Sequence, residues 1–488
     1  MKDLTRRDLC GGAAGSATVS AAGLASAAPA RRRPNIVFAL ADDWSWQSAR
    51  PVDMLGLRMP NYARVVRDGL SFDNAFVAAP TCTTSRGSIL TGRAPWQLEE
   101  GANLASILPA KFAVYPEMLE RAGYHVGFAG KGWAPGQLKP AGRARNPAGD
   151  AYPDFAGFLA KRPADAPFCF WLGDRDPHRP YVRGQGQRNG VSFTGTLPPY
   201  LADSPATRED VADYMFAAER FDRDLGVVLA ALEAAGELDN TLVVVTGDNG
   251  WPFPRGKATL YDAGVHVPLA MMWPGRIKAG GRTRALVTLT DLAPTFLEVA
   301  GLPPSPVMTG ASLLPVMTGG RWARDAVITA MERHMDGRTQ PGQGYPMRAL
   351  RTERYLFIRN FHPERWPAGD PPRRAVDAAK LETSVFAGFA DIDQGPAKAW
   401  LATHPDDPAY GPAVGKRPAR ELYDVTADPF EMRNLVGDPR HARVLARMDR
   451  RLTAELKRLK DPRVGPDGDV FDRYPSYSDP GYGRPADF

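Results

Sequence analysis

Cysteine is scarce in this sequence, which excludes a framework held together by many disulfides. The 488 residues contain only Cys10, Cys82 and Cys169. Cys10 falls within a predicted leader, so counting alone leaves a single Cys82–Cys169 disulfide as an alternative. Cys169 lies inside the apolar run 168–172, which favours a small buried hydrophobic residue over a disulfide partner.

Two other features are missing. After the leader, no apolar run is long enough to span a membrane, and no block of Lys and Arg resembles a nucleic-acid-binding tail. The chain has 61 Lys and Arg against 55 Asp and Glu, a formal net charge of +6. We therefore expect neither a membrane span nor a nucleic-acid partner, and the slightly basic surface suits an acidic substrate.

Residues 1–30 have the pattern of a signal peptide. Arg6 and Arg7 precede an Ala/Gly-rich stretch, and the small residues 25–27 form a cleavage site. The arginine pair and the low hydrophobicity of the stretch favour a twin-arginine leader, and an ordinary secretory leader is the alternative. Either leader predicts an exported protein, periplasmic or secreted.

The order of apolar runs predicts an α/β fold with a large, mostly parallel sheet flanked by helices. Strands are predicted at 36–40, 125–129, 168–172, 242–245 and 267–273, and helices at 61–69, 115–123 and 211–236. We assign 31–330 to this α/β domain. Residues 331–488 are expected to form a smaller C-terminal α+β domain, with strands at 355–360 and 422–425, a helix at 442–459 and a long Pro-rich insertion at 363–418.

Polar residues follow the first four predicted strands directly. They are Asp42 and Asp43; Lys131; Asp174, Asp176 and His178; and Asp248 and Asn249. In open α/β sheets, ligands bind beyond the carboxyl ends of the strands, so these residues should meet at one edge. Three carboxylates and one amide suit Ca²⁺ or Mg²⁺. Ordinary turn chemistry at a strand end is the alternative for each pair.

Residues 82–93 indicate a loop that turns into a short helix ended by Gly92. A helix N-terminus favours anions, so Cys82 with Arg86 four residues later is typical of an activated nucleophile beside an anion-binding group. A buried cysteine at a helix start is the equally weighted alternative.

Together these segments resemble the sulfatase family of the alkaline phosphatase superfamily. Cys82-Thr83-Thr84-Ser85-Arg86, followed by Leu90-Thr91-Gly92-Arg93, is similar to the sulfatase signature Cys-x-Pro-Ser-Arg with a downstream Leu-Thr-Gly-Arg. The resemblance extends over residues 33–460. Asp176-Pro177-His178-Arg179, residues 249–254 and Tyr345-Pro346-Met347-Arg348 resemble the sulfamidase (heparan N-sulfatase) branch in particular.

The resemblance implies a sulfate or sulfamate hydrolase acting on a sulfated saccharide, and the sulfamidase branch suggests N-sulfoglucosamine as that saccharide. Cys82 would be oxidised to formylglycine by a maturation enzyme, and one hydroxyl of the aldehyde hydrate would attack sulfur beside a divalent metal. The implied metal ligands are Asp42, Asp43, Cys82, Asp248 and Asn249. Negative charge on the sulfuryl group would be neutralised by Arg86, Lys131 and Lys257. His178 would protonate the leaving oxygen or nitrogen.

Three residues at the start of the second domain are candidates for binding the sugar: Glu332, His334 and Arg348. The alternative is that they are ordinary polar residues of the protein surface.

Two positions depart from the family pattern. Thr84 stands where the family usually has Pro or Ala, at a position that helps the maturation enzyme recognise the cysteine. Trp133 stands where the Gly-Lys-x-His pattern has its His. Two alternatives therefore stay open: a phosphodiesterase or phosphonate monoester hydrolase of the same superfamily, and a non-catalytic glycan-binding relative.

Overall fold

An eight-stranded sheet forms the centre of the protein. The computed structural model describes residues 32–46, 56–372 and 376–477, so the predicted leader, residues 1–30, lies outside the described residues. The sheet strands are β1 Asn35–Ala41, β2 Leu70–Phe76, β3 His125–Gly130, β4 Asp150–Tyr152, β5 Phe168–Gly173, β6 Thr241–Gly247, β7 Leu269–Met272 and β8 Gly281–Thr288. Their order is β4-β3-β5-β1-β6-β7-β2-β8. Among these strands only β7 runs antiparallel to its neighbours, which confirms the predicted parallel sheet.

The four strands predicted from continuous apolar runs are adjacent in the sheet. β1 pairs in parallel with β5 on one side and β6 on the other, and β3 pairs with β5. Their apolar runs are continuous because both faces of these strands are covered. On β1, Ile36, Phe38 and Leu40 belong to one hydrophobic core, while Val37 and Ala39 belong to a second core.

Thirteen helices are described along the chain, most of them covering the two faces of the sheet. They are α1 Pro60–Arg67, α2 Cys82–Thr91, α3 Tyr115–Arg121, α4 Phe155–Ala160, α5 Gln185–Arg188, α6 Pro205–Ala234, α7 Asp262–Val265, α8 Leu292–Val299, α9 Leu314–Met317, α10 Ala378–Thr383, α11 Pro396–Thr403, α12 Tyr410–Val414 and α13 Ala442–Arg458. No helix in the described ranges has the length and hydropathy that a membrane span requires.

Helix α6 starts six residues before its predicted beginning at residue 211. Ser204 caps it by accepting a hydrogen bond from the Thr207 backbone N–H, and Pro205 occupies the first helical position. The apolar face of α6, with Phe221, Leu225 and Leu232, packs in the second core against the sheet. The long helix thus covers the face of the sheet opposite to α2, α3 and α8.

A second, antiparallel sheet follows in the chain. It consists of β9 Ala326–Met331, β10 Met347–Thr352, β11 Tyr355–Asn360 and β12 Arg420–Asp424, in the order β12-β11-β10-β9. Helix α13 packs on it through Met448, Leu452 and Leu456, as its amphipathic pattern predicts. The predicted insertion falls between β11 and β12 and contains α10, α11 and α12. The domain boundary near residue 330 stays a prediction.

Candidate active site

The polar residues predicted to converge do meet at the carboxyl ends of the parallel strands. Just beyond β1, the backbone N–H of Asp42 donates to Asp176 O over 3.0 Å, and the N–H of Asp248 donates to Ala41 O over 3.0 Å. These bonds continue the sheet pairing past the ends of the strands. The side chains that follow β1, β5 and β6 are therefore held at one edge by the backbone itself.

Asp42, Asp43, Cys82 and His178 form a cluster in which the candidate ligand atoms all lie within 4.8 Å of one another. Asn249 adds to it. Its amide nitrogen donates to Asp43 Oδ1 at 2.5 Å, whereas its Oδ1 is buried without a hydrogen-bond partner. A buried oxygen without a donor beside several carboxylates suits a divalent cation that prefers oxygen ligands.

The high density of negative charge also indicates a cation site. Asp248 is fully buried, and burial together with the neighbouring Asp42 raises its pKa to about 6. Burial also opposes ionisation of Asp42, but Lys131, His178, Arg86 and Lys257 together hold its pKa well below the ordinary value. Such a group of buried carboxylates is stable only when cations compensate it. The residues present therefore fit a metal ion, although they do not determine which one.

Cys82 is the first residue of α2, and all residues of this helix are buried. The Cys82 thiol donates to Asp42 Oδ1 over 3.3 Å. Burial and the Asp42 carboxylate raise the pKa of the thiol well above its usual value, against the opposing effect of Lys131 and Lys257. In the unmodified side chain, desolvation and the nearby carboxylate oppose the effect of the helix N-terminus, and the activated nucleophile stays a prediction.

Arg86 lies one helical turn after Cys82 and is completely buried. Its Nε donates to Asp248 Oδ2 over 2.7 Å, and its Nη1 donates to the backbone oxygens of Lys131 and Gly132. Its Nη2 is buried without a hydrogen-bond partner and lies 3.7 Å from Asp42 Oδ1. One guanidinium nitrogen is thus available for an anion, while the others fix the side chain in place.

Two lysines flank the carboxylates. Lys131 Nζ lies 2.5 Å from Asp42 Oδ2, and Lys257 Nζ lies 2.9 Å from Asp43 Oδ2. Burial would lower the pKa of Lys257, but Asp393 and Asp43 raise it well above the usual value. Both lysines therefore remain charged near neutral pH, as charge neutralisation in a site for anions requires.

His178 is held in one orientation by its own loop. Its Nδ1 lies 2.5 Å from Arg179 O, and its Nε2 lies 3.8 Å from Asp43 Oδ2. Because a carbonyl oxygen only accepts hydrogen bonds, Nδ1 must carry a hydrogen. Nε2 is then the nitrogen that takes up and releases a proton.

A cavity of about 320 Å³ opens over this site. Its lining includes Cys82, His178, Lys257, His334 and Asp393. His334 thus reaches the cavity, and its role in reading the sugar stays a prediction. Asp393 was not anticipated, since it belongs to the insertion and no strand end or motif marks it.

Glu332 and Arg348, the other two residues predicted to read the sugar, do not line the cavity. Both are buried, and they bind each other over 2.6 Å. Arg348 also pairs with Asp461 at 2.6 Å, and Glu332 with Arg463 at 2.5 Å. The expectation of direct substrate contact is corrected here: these side chains hold the segment after α13 against the small sheet.

The two departures from the family pattern occupy neighbouring positions around the start of α2. Trp133 is buried in the hydrophobic core, and its indole N–H donates to Thr83 O over 3.2 Å. The Thr84 hydroxyl is buried without a hydrogen-bond partner. Cys82 and Cys169 are both free thiols, so the alternative of a disulfide between them is wrong.

Comparison with known families agrees with this geometry. A family model described as Sulfatase matches residues 34–136 and 145–302, more than half of the chain. The chain belongs to the sulfatase family. A second family model, described as N-sulphoglucosamine sulphohydrolase, C-terminal, matches residues 247–370 of this sulfatase.

Among its relatives is the human N-sulphoglucosamine sulphohydrolase, 29% identical over 90% of this chain and 93% of the relative. An ulvan-active sulfatase of Formosa agariphila is 25% identical over 90% of this chain and 78% of the relative. A solved structure in complex with its substrate D-glucosamine-2-N,6-O-disulfate superposes with a TM-score of 0.65 at 20% identity, covering 89% of this chain and 99% of the other. This structural likeness confirms the predicted α/β class.

Proposed function

We propose that this sulfatase removes sulfate from a sulfated glycan, and that N-sulfoglucosamine is the first substrate to test. The observation that carries the proposal is the assembly of Cys82, Lys131, Lys257 and His178 around buried carboxylates at one cavity. The human relative, named for N-sulphoglucosamine, and the second family model support this choice of sugar.

We further propose that Cys82 acts as formylglycine and that Asp42, Asp43, Asp248 and Asn249, together with residue 82, hold Ca²⁺, with Mg²⁺ as the alternative. The position of Cys82 supports this role, since its Sγ lies 3.3 Å from Asp42 Oδ1 within the cluster of candidate metal ligands. When bound, the metal polarises sulfuryl oxygens, and the aldehyde hydrate supplies the attacking hydroxyl.

The remaining residues then have separate tasks. Lys131, Lys257 and the Nη2 group of Arg86 neutralise charge on the sulfuryl group, which is the largest contribution a preorganised site makes to such a reaction. His178, with its Nδ1 hydrogen held by Arg179 O, delivers a proton from Nε2 to the leaving oxygen or nitrogen.

The sequence of the leader supports export, and we propose a periplasmic or secreted location. Maturation requires an enzyme that oxidises the cysteine and accepts Thr84 in its recognition segment. Thr84 and Trp133 favour the second candidate, a relative that binds sulfated glycans without turning them over, because a buried indole stands where the family pattern has its His.

The test combines mass spectrometry with turnover. The peptide containing Cys82 is analysed after expression beside a formylglycine-generating enzyme. Release of sulfate is measured from O-sulfated and N-sulfated glucosamine, and release of phosphate is measured from phosphate esters. We expect the aldehyde at residue 82 and loss of turnover in Cys82→Ala, whereas the control Cys169→Ala stays active. An aldehyde with no sulfate release supports the non-catalytic candidate, and preference for phosphate esters supports the phosphodiesterase alternative. Undiminished turnover in Cys82→Ala refutes the proposed mechanism.

A further inference from the structure

The insertion between β11 and β12 forms one wall of the active-site cavity. Thr383 to Phe386, at the end of α10, line the cavity, and so do Asp393 and Gln394 just before α11. Cys82, the first residue of α2, and His178, in the loop after β5, line the same cavity. A segment that the fold does not need for its sheets therefore meets the reactive residues.

Asp393 is the charged residue that this segment brings to Lys257. Its Oδ2 lies 3.1 Å from Lys257 Nζ, and the two side chains are only 11% and 5% exposed. On its other side the same ammonium group lies 2.9 Å from Asp43 Oδ2. Lys257 is thus held between a candidate metal ligand and a carboxylate from the insertion. Without Asp393, Asp43 alone would determine where the ammonium group lies.

The backbone on both sides of Asp393 is fixed by buried polar contacts. On the N-terminal side, Asp391 accepts hydrogen bonds from the Met335 backbone N–H at 2.9 Å and from Arg338 Nη2 at 2.6 Å. Lys398 Nζ donates to Ile392 O and Val385 O, at 2.9 and 2.8 Å. These contacts hold the loop against the segment that follows β9 and against the residues just after α10.

On the C-terminal side, the Ala397 backbone N–H donates to Asp210 Oδ2 over 3.1 Å. Asp210 belongs to α6 and also pairs with Arg179 at 2.6 Å. The segment is therefore connected to the long helix of the main sheet as well. A side chain supported from both sides keeps its position and can set the position of its partner.

We propose that Asp393 is a positioning residue that holds the Lys257 ammonium group at the cavity wall, so that the insertion forms part of the active site. This inference rests on the proposed role of Lys257 toward a sulfuryl group. Asp393 acts through Lys257 and needs no contact with the substrate itself.

The Asp393→Asn variant separates positioning from plain structural support. It keeps the size of the side chain and removes one negative charge beside the cavity. We expect kcat to fall by about 10- to 100-fold, as a misplaced active-site group does. Inorganic sulfate should bind at least as tightly as to the wild type, because a negative charge that repels anions has been removed. A merely structural role would weaken sulfate binding and stability together.

The experiment compares wild type, Asp393→Asn, Asp393→Glu and the control Asp406→Asn, which changes an exposed acid of the same insertion. For each we measure kcat and KM with a sulfated monosaccharide, the dissociation constant of inorganic sulfate by calorimetry, and the unfolding midpoint. Asp393→Glu retains the carboxylate and should recover part of kcat, while Asp406→Asn should match the wild type. A kcat of Asp393→Asn within twofold of the wild type overturns the proposal, as does a parallel loss of sulfate affinity and stability.

Labelling of Lys257 with a small amine-reactive reagent, read by peptide mass spectrometry, keeps the test independent of turnover. If the wild type releases no sulfate, the proposed function fails, but the position of the ammonium group is still measurable. We expect Lys257 to be labelled several-fold faster in Asp393→Asn, because one of its two carboxylate partners is gone. An unchanged labelling rate would mean that Asp393 does not hold Lys257.

Discussion

The buried ion pairs around Arg348 lead to a quantitative prediction about stability. Arg348 is fully buried, and its Nε and Nη2 donate to Asp461 at 2.6 and 3.1 Å, while Nη2 also donates to Glu332 at 2.6 Å. Glu332 keeps a second partner, since Arg463 Nη2 binds it at 2.5 Å. Asp461 depends on Arg348 for its cationic partner, although the Arg463 backbone N–H also reaches it, over 2.9 Å.

Substitution Arg348→Met replaces the guanidinium with an apolar side chain and leaves the Asp461 charge buried without its cation. Removing one partner of a buried pair costs about 3–5 kcal/mol of unfolding free energy. The matched control is Arg354→Met, whose side chain is 63% exposed and pairs with Asp424 at 2.8 Å. An exposed pair of this kind contributes only about 0–1 kcal/mol.

Equilibrium unfolding in urea, followed by tryptophan fluorescence, measures both variants. The double variant Arg348→Met with Asp461→Asn should recover part of the loss, because the uncompensated charge is then removed. Among folded molecules KM should match the wild type, since Arg348 does not line the cavity. Wild-type stability combined with a raised KM would refute this reasoning and restore Arg348 as a substrate-binding residue.

Three further predictions concern other parts of the chain. Leu452→Ala, at the buried face of α13, should cost about 2–5 kcal/mol of unfolding free energy by denaturant titration. Gly92→Ala should cost about 1–2 kcal/mol in the same assay, because φ is 65° and the new Cβ would lie 2.9 Å from Met308 Cγ. Burial lowers the pKa of Lys398 from 10.5 to about 7, so between these pH values the unfolded chain binds the additional proton. Wild-type stability should therefore rise with pH relative to Lys398→Met, by up to about 1.4 kcal/mol per pH unit, and equal slopes would contradict the shift.

The sequence predicts strands well where burial makes their apolar runs continuous. β1, β5 and β6 are of this kind, and their predicted bounds differ from the structure by at most two residues at each end. β8 was missed because it alternates exposed arginines with smaller residues. β10 was missed because it places Arg348 near the start of a buried strand, and only its distant partners make that burial tolerable.

The candidate site likewise contains residues that the sequence predicts and residues that it does not. Residues that follow strand ends, such as Asp42 and Asp248, were predictable because parallel strands bring their carboxyl ends together. Asp393 was not, since its place at the cavity depends on contacts with Asp210 and Met335 far away in the chain. Local pattern carries no information about such long-range pairings. The same limit explains why the burial of Glu332 was not foreseen.

The burial of Cys82 has a consequence for the order of events in the cell. In the folded protein this residue is 2% exposed and lies at the start of a fully buried helix, where the active site of another protein cannot surround it. Under the proposed maturation, an enzyme that oxidises Cys82 would therefore have to bind residues 82–93 while they are still an extended peptide. Oxidation and folding would then compete in time, and the fraction converted would depend on how fast the chain folds. Variants that fold slowly should carry more of the modified residue, even where their final stability is lower.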